Sequence, residues 1–166
     1  MADRKRAWAS VSAPTFTLAS LAASSTLVAG RESDTVDNTT TKYLDFQYTQ
    51  RTKVGTTLTA GFIELWVVPS FDGGTTWPDV FDGTDSNETI TSRDILGAAA
   101  RCGAVVATST TNSLTYDLAI PSIARLFDGQ VPEKFVFFVV QSTNAALSAT
   151  GGDHVGYLRG AYETIA

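Results

Sequence analysis

The sequence predicts an all-β domain, a β-sandwich of jelly-roll or Greek-key type with one or two short helical turns. Three observations predict it. Apolar and polar residues alternate with period two in several separate segments, the pattern of strands with one buried face. Only 17% of the 166 residues are charged and 43% are apolar, with Ser, Thr and Gly filling the difference, which suits short strands and turns. No strand–helix–strand rhythm is present: about eight strands are joined by turns and longer crossing loops, which favours a sandwich over a parallel α/β sheet.

Residues 1–14 have no periodicity and read as an N-terminal arm, with Trp8 as its one bulky side chain, expected to dock on the domain or on a neighbour. Residues 15–166 read as a single sandwich domain without internal repeats or linkers. In the segment 15–21, Phe16 and Leu18 share a face, which predicts a half-buried strand. A turn over 22–25 leads to a second short strand at 26–30, and 31–41 is polar, with Asp34, Asp37 and Asn38 as turn formers. The segment 42–54 predicts a long amphipathic strand with Leu44, Phe46 and Tyr48 on one face and Asp45, Gln47 and Thr49 on the other. The run 62–68 predicts a core strand, on which Glu64 is expected to lie on a solvated face. Ser92 as cap, Asp94 in the first turn and the alanines 98–100 predict a short helix. Segments 103–108 and 113–120 predict a hairpin closed by the polar turn 109–112. Pro121 to Phe127 predicts one helical turn closed by Asp128 and Gly129. Residues 133–142 are apolar on both faces and belong mid-sheet, and 155–165 predicts a last strand.

Charge is unevenly distributed. Between residues 69 and 94 the acids Asp72, Asp79, Asp82, Asp85, Glu88 and Asp94 face only Arg93, so this window carries the whole formal charge of −5. A nucleic-acid binder would show the opposite sign in a cluster. The basic run Arg4-Lys5-Arg6 reads as a solvated tail or a binding arm. The acids among Gly73, Gly74 and Gly83 could gather oxygen ligands around calcium, although their spacing lacks the EF-hand pattern and Asp-Gly is also an ordinary turn. A single cysteine excludes an internal disulfide framework, and Cys102 is expected to be a small buried apolar residue. His154 is the only histidine and reads as a loop residue, with no serine singled out for nucleophilic catalysis. Trp66, Trp77 and Tyr157 could stack on sugar rings, while core or loop-anchor roles explain both tryptophans better. No apolar run approaches the about 20 residues of a membrane span, and no secretory leader is recognisable.

Several successions carry a resemblance. Thr26-Leu27-Val28-Ala29-Gly30-Arg31-Glu32-Ser33, Val36-Asp37-Asn38-Thr39, Tyr43-Leu44-Asp45 and Trp77-Pro78-Asp79-Val80-Phe81-Asp82-Gly83-Thr84-Asp85 resemble small virion proteins of tailed bacteriophages, of the head decoration (cement) type. So do Gly129-Gln130-Val131-Pro132-Glu133-Lys134-Phe135 and Ala149-Thr150-Gly151-Gly152-Asp153-His154. The resemblance implies a non-enzymatic protein without cofactor, made in the host cytoplasm and resident in the virion. Its implied partners are the major capsid protein or other virion proteins, with neither nucleic acid nor membrane, and it is expected to be a homo-oligomer, a trimer being one arrangement. Arg4, Lys5, Arg6 and Trp8 are the residues expected to contact the shell or a sister subunit. A tail or head-tail component, a carbohydrate-binding module using Trp77, and a hydrolase using the loop carboxylates are the alternatives.

Overall fold

The computed structural model describes residues 3–165, so expectations for Met1, Ala2 and Ala166 fall outside it. Ten strands form two antiparallel sheets. The first sheet has the order β1 (Arg4–Trp8), β10 (Val155–Ile165), β4 (Asp45–Lys53), β8 (Thr115–Ile120). The second has the order β6 (Ser86–Thr89), β2 (Ala29–Glu32), β9 (Lys134–Gln141), β5 (Gly61–Ser70), β7 (Arg101–Thr108), with the two-residue β3 (Val36–Asp37) also paired to β9. Apart from the small β3 and β6, the chain changes sheet at every step except between β5 and β7. Eight strands interleaved in this way make a jelly roll, as the sequence predicts.

The main core lies between the sheets. Phe46 and Tyr48 of β4 meet Phe135 and Phe137 of β9, and the Tyr48 and Phe137 rings stack at 3.7 Å. Ile63, Leu65 and Val67 from β5 and Leu118 and Ile120 from β8 complete it, all essentially without exposure. A second, smaller core sits on the outer face of the second sheet. There Val68, Val136, Phe138 and Val140 are covered by Phe81, Ile90, Leu96 and Ala100. These come from the excursion between β5 and β7, which includes the helix α1 (Arg93–Ala99). β9 is therefore buried on both faces because a sandwich lies beneath it and a lobe above it, which explains why its sequence is apolar throughout. Each large side chain removed from water here stabilises by roughly 1.5–3 kcal/mol.

Several expected elements hold. Ser92 caps α1 by accepting from the Asp94 N–H at 3.1 Å. A 3₁₀ turn spans Ala124–Phe127 and closes through Asp128 and Gly129, both at positive φ. Other expectations are corrected. The segment expected to be an arm supplies β1, paired from Arg4↔Ile165 to Trp8↔Ala161. Its residues are exposed or half-buried, so no apolar alternation marks it as a strand. Residues 15–21 form no ladder: Leu18 and Leu21 are buried, but Ser20 turns the chain at φ 60°. The strand expected at 26–30 begins later, after Leu27 at φ 55°, and runs into the polar stretch as β2. β7 and β8 do not form a hairpin, since β7 pairs with β5 and β8 with β4 in the other sheet. Their packing across the corner is close, and a Cβ on Gly103 would lie 2.2 Å from Ile120 Cδ1. On β4 the faces fall as expected for Phe46 and Tyr48, but Leu44 precedes the strand and is 54% exposed whereas Asp45 is buried.

Candidate interaction site

The four residues expected to make contacts all lie on β1, an edge strand with one neighbour. Its outer edge leaves backbone groups unpaired, and its charges are the kind that discourage indiscriminate pairing. Arg4 meets Glu163 at 3.5 Å and Arg6 meets Asp45 at 3.4 Å. Trp8 lies against its own domain, with the guanidinium groups of Arg6 and Arg159 at 5.3 and 5.8 Å from its ring. Lys5 is exposed and makes no ion pair among the described residues.

The acidic stretch is a folded lobe in which most carboxylates accept hydrogen bonds from nearby donors. Asp72 accepts from Ser70 Oγ and from the N–H groups of Thr75 and Thr76, and the hydrogen bonds of Thr76, with those of Ser70 and Thr75, lower its pKa to about 2. Asp79 accepts from the N–H and hydroxyl of Thr91, at 2.7 and 2.8 Å. Asp85 accepts from Arg31 Nε at 2.7 Å and from both donors of Thr17. Burial pushes the Asp85 pKa up, but the hydrogen bonds from Arg31 and Thr17 outweigh it and the net shift is downward. Among the described residues, no three carboxylate, imidazole or thiol groups converge at metal-binding spacing.

The lobe is latched to the sandwich mainly through backbone atoms. Glu32, with no exposure, accepts from the Gly83 N–H at 2.7 Å and more weakly from that of Asp82. The Thr35 N–H and hydroxyl both donate to the Gly83 carbonyl, and Asp34 accepts from the Asp85 N–H. Gly83 sits at φ 87°, and a Cβ there would lie 2.4 Å from Thr35 Oγ1, so glycine is required at the latch. Desolvation raises the Glu32 pKa to about 7; the Gly83 and Asp82 N–H groups oppose the rise, and the charges of Asp82 and Glu88 add to it.

Glu64 is not on a solvated face. It is 5% exposed, beneath the lobe, where Arg93 Nη2 reaches both carboxylate oxygens at 2.7 Å and Trp66 Nε1 donates at 2.9 Å. The partner was invisible in a strand-level reading because Arg93 arrives from α1, 29 residues later. Cys102 is exposed on β7 and not buried, β7 being an edge strand with β5 as its one ladder neighbour. Partial burial, and then the Glu64 charge, raise its thiol pKa, which disfavours the reactive thiolate. Trp66 and Trp77 both pack against the second core, as anchors. His154 Nε2 lies 2.9 Å from the Ser148 carbonyl, which makes it the donor, and in the neutral imidazole Nδ1 then accepts from Thr52 Oγ1 at 2.7 Å. The Thr52 residue has no exposure, so this hydroxyl–imidazole pair is a structural bond.

Comparison with protein-family models, with curated proteins and with solved structures found no significant match.

Proposed function

We propose that this protein is a structural component of a phage virion, a capsid decoration protein seated on the outer surface of the head shell. The observation that carries the reading is the interleaved eight-strand order of the two sheets, the jelly roll found in viral capsid proteins, lectin domains and cupins. It joins the resemblance in the segments around Gly30, Asp79 and Gln130 to phage decoration proteins. The polar clusters support a binding role over a chemical one: lobe carboxylates hold backbone turns, Glu64 neutralises Arg93, and His154 braces a loop. The open edge of β1, with Arg4, Lys5 and Arg6, is the contact strand toward the shell or a sister copy. Many weak copies on a repeating lattice bind firmly in sum.

Quantitative mass spectrometry of purified particles tests the reading. A copy number comparable with that of the shell subunit is expected. A handful of copies would move the protein to the tail or head-tail junction, and its absence from particles would overturn the proposal.

A further inference from the structure

Phe71 is the most exposed large apolar side chain of the described residues, at 80%, and it contributes little burial to the fold. Its turn, after β5, is nevertheless rigidly held: Asp72 and the Ser70 hydroxyl together accept from the N–H groups of Gly74, Thr75 and Thr76. A rigid, exposed aromatic ring is suited to anchor a partner at small entropic cost.

Phe71 borders two hollows. The first, of about 360 Å³, is walled by Pro69, Trp77 and Pro78, with Asp72 and Thr76 as its polar groups. The second, of about 300 Å³, is walled by Phe127, Val131 and Pro132, with Gln130 and Glu133 as its polar groups. Both have the size of small-ligand sites. The same set of groups therefore occurs twice beside one ring: an aromatic, a proline, a carboxylate and an uncharged polar side chain. A repeated set of this kind fits a ligand built of repeating units.

The polar groups are free to serve a ligand. The short bonds to Asp72 all fall on Oδ1, from Ser70 Oγ and the N–H groups of Thr75 and Thr76. Oδ2, in reach of the Thr76 hydroxyl, is left for an outside donor. Trp77 packs against the second core, but its indole N–H meets no acceptor among the described residues and is not a buried atom, so water reaches it. The exposed Gln130 and Glu133 side chains make no hydrogen bond or ion pair among the described residues. Two bases stand at the margin: Lys134, beside Gly74 and paired with Asp37 at 3.2 Å, and Arg101, 5.9 Å from the centre of the Phe127 ring. Acids in the lining with bases at the margin suit an uncharged chain.

A sugar ring answers all of these features within one unit. Its C–H face is apolar and slightly positive and lies on the negative face of an aromatic ring. Its hydroxyls donate to carboxylates and accept from an indole N–H or an amide. A proline-rich peptide matches the aromatic walls but has no N–H on its prolines, so both carboxylates would go unmatched. We infer that Phe71 and the two hollows beside it bind an uncharged polysaccharide, with one sugar ring in each hollow. The inference goes beyond the virion reading and does not rest on it, since the site belongs to the single chain.

Affinity electrophoresis of the purified full chain tests it, in gels containing dextran, laminarin, galactomannan or arabinogalactan, with polygalacturonate and an oligoproline peptide as the competing classes. Retardation by at least one of the neutral polymers is expected, and by neither polygalacturonate nor oligoproline. In titration calorimetry a tetrasaccharide of the retarding polymer binds about tenfold more tightly than its disaccharide, because the longer chain reaches both hollows. Phe71→Ala weakens binding roughly 30-fold at an unchanged melting temperature, as loss of an exposed anchor does. Val105→Ser, at a half-exposed apolar position on β7, leaves binding unaltered. No retardation by any neutral polymer overturns the inference, as does retardation by polygalacturonate or oligoproline alone. Sugar binding indifferent to Phe71→Ala overturns it too, since the sugar then sits elsewhere.

Discussion

The two cores of this molecule are held in different ways. Between the sheets, stability comes from interlocked aromatic and aliphatic side chains, with the Tyr48–Phe137 stack near the centre. Under the outer lobe, a smaller apolar cluster shares the work with carboxylates: the buried Glu32 under Gly83 and Glu64 on Arg93, and the partly buried Asp85 on Arg31. Apolar packing carries no titratable group, whereas the carboxylate latches respond to pH. The difference teaches that one chain carries a constant scaffold and a conditional surface layer.

The largest break in that comparison is on the inside. Phe137→Ala removes a ring with no exposure and is expected to cost about 3–5 kcal/mol in chemical denaturation, with both cores lost in one transition. Arg93→Met strands the Glu64 carboxylate beneath the lobe and is expected to cost about 3 kcal/mol. Adding Glu64→Gln recovers most of that loss; if it recovers none, the pair is not what holds α1 to the sheet.

Glu32 sharpens the contrast through pH. Its folded pKa, about 7, lies above the ordinary 4.5, so the folded state binds the proton more tightly than the unfolded chain. The stability this contributes is fully present below pH 4.5 and is lost as pH rises through about 7. The change is on the order of 2–3 kcal/mol. Melting temperatures at pH 5 and 8 check it: Glu32→Gln is expected to flatten the decline while keeping an oxygen for the Gly83 N–H. An unaltered decline would assign it to another group. The smallest effect belongs to the surface: Arg51 and Asp117 pair at 2.9 Å but are each about half exposed, so Arg51→Ala is expected to cost less than about 1 kcal/mol.

The scaffold was far more legible in the sequence than the surface layer. β4, β5 and β9 announce themselves because their apolar residues sit at strand spacing and are buried by that same spacing. α1 announces itself through Ser92 and Asp94, a local signal read within one turn. β1 was illegible because an edge strand exposed on most of its surface has no pattern to show, and its partner β10 lies at the other end of the chain. The separation of β7 from β8 was equally hidden, since a polar turn looks the same whether it closes a hairpin or carries the chain between sheets. For the candidate site, sequence reading singled out Arg4, Lys5, Arg6 and Trp8 as contact residues and marked the acidic stretch as a unit. It did not find Glu32, Arg31, Asp34 and Thr35 as the seat of that stretch, because those contacts span about fifty positions. Gly83 was the one usable hint, since a glycine in Asp-Gly can mark a position of positive φ. Phe71 stood in plain view beside Asp72-Gly73-Gly74, yet only coordinates separate an exposed phenylalanine from a buried one.

Imaging of intact particles at subnanometre detail tests the proposed role most directly. The account predicts a two-layered β-sandwich on the outer surface of the head shell, repeated at equivalent lattice positions, with the open edge of β1 at a contact. A bare shell, with this density confined to the tail or missing from the particle, would contradict it.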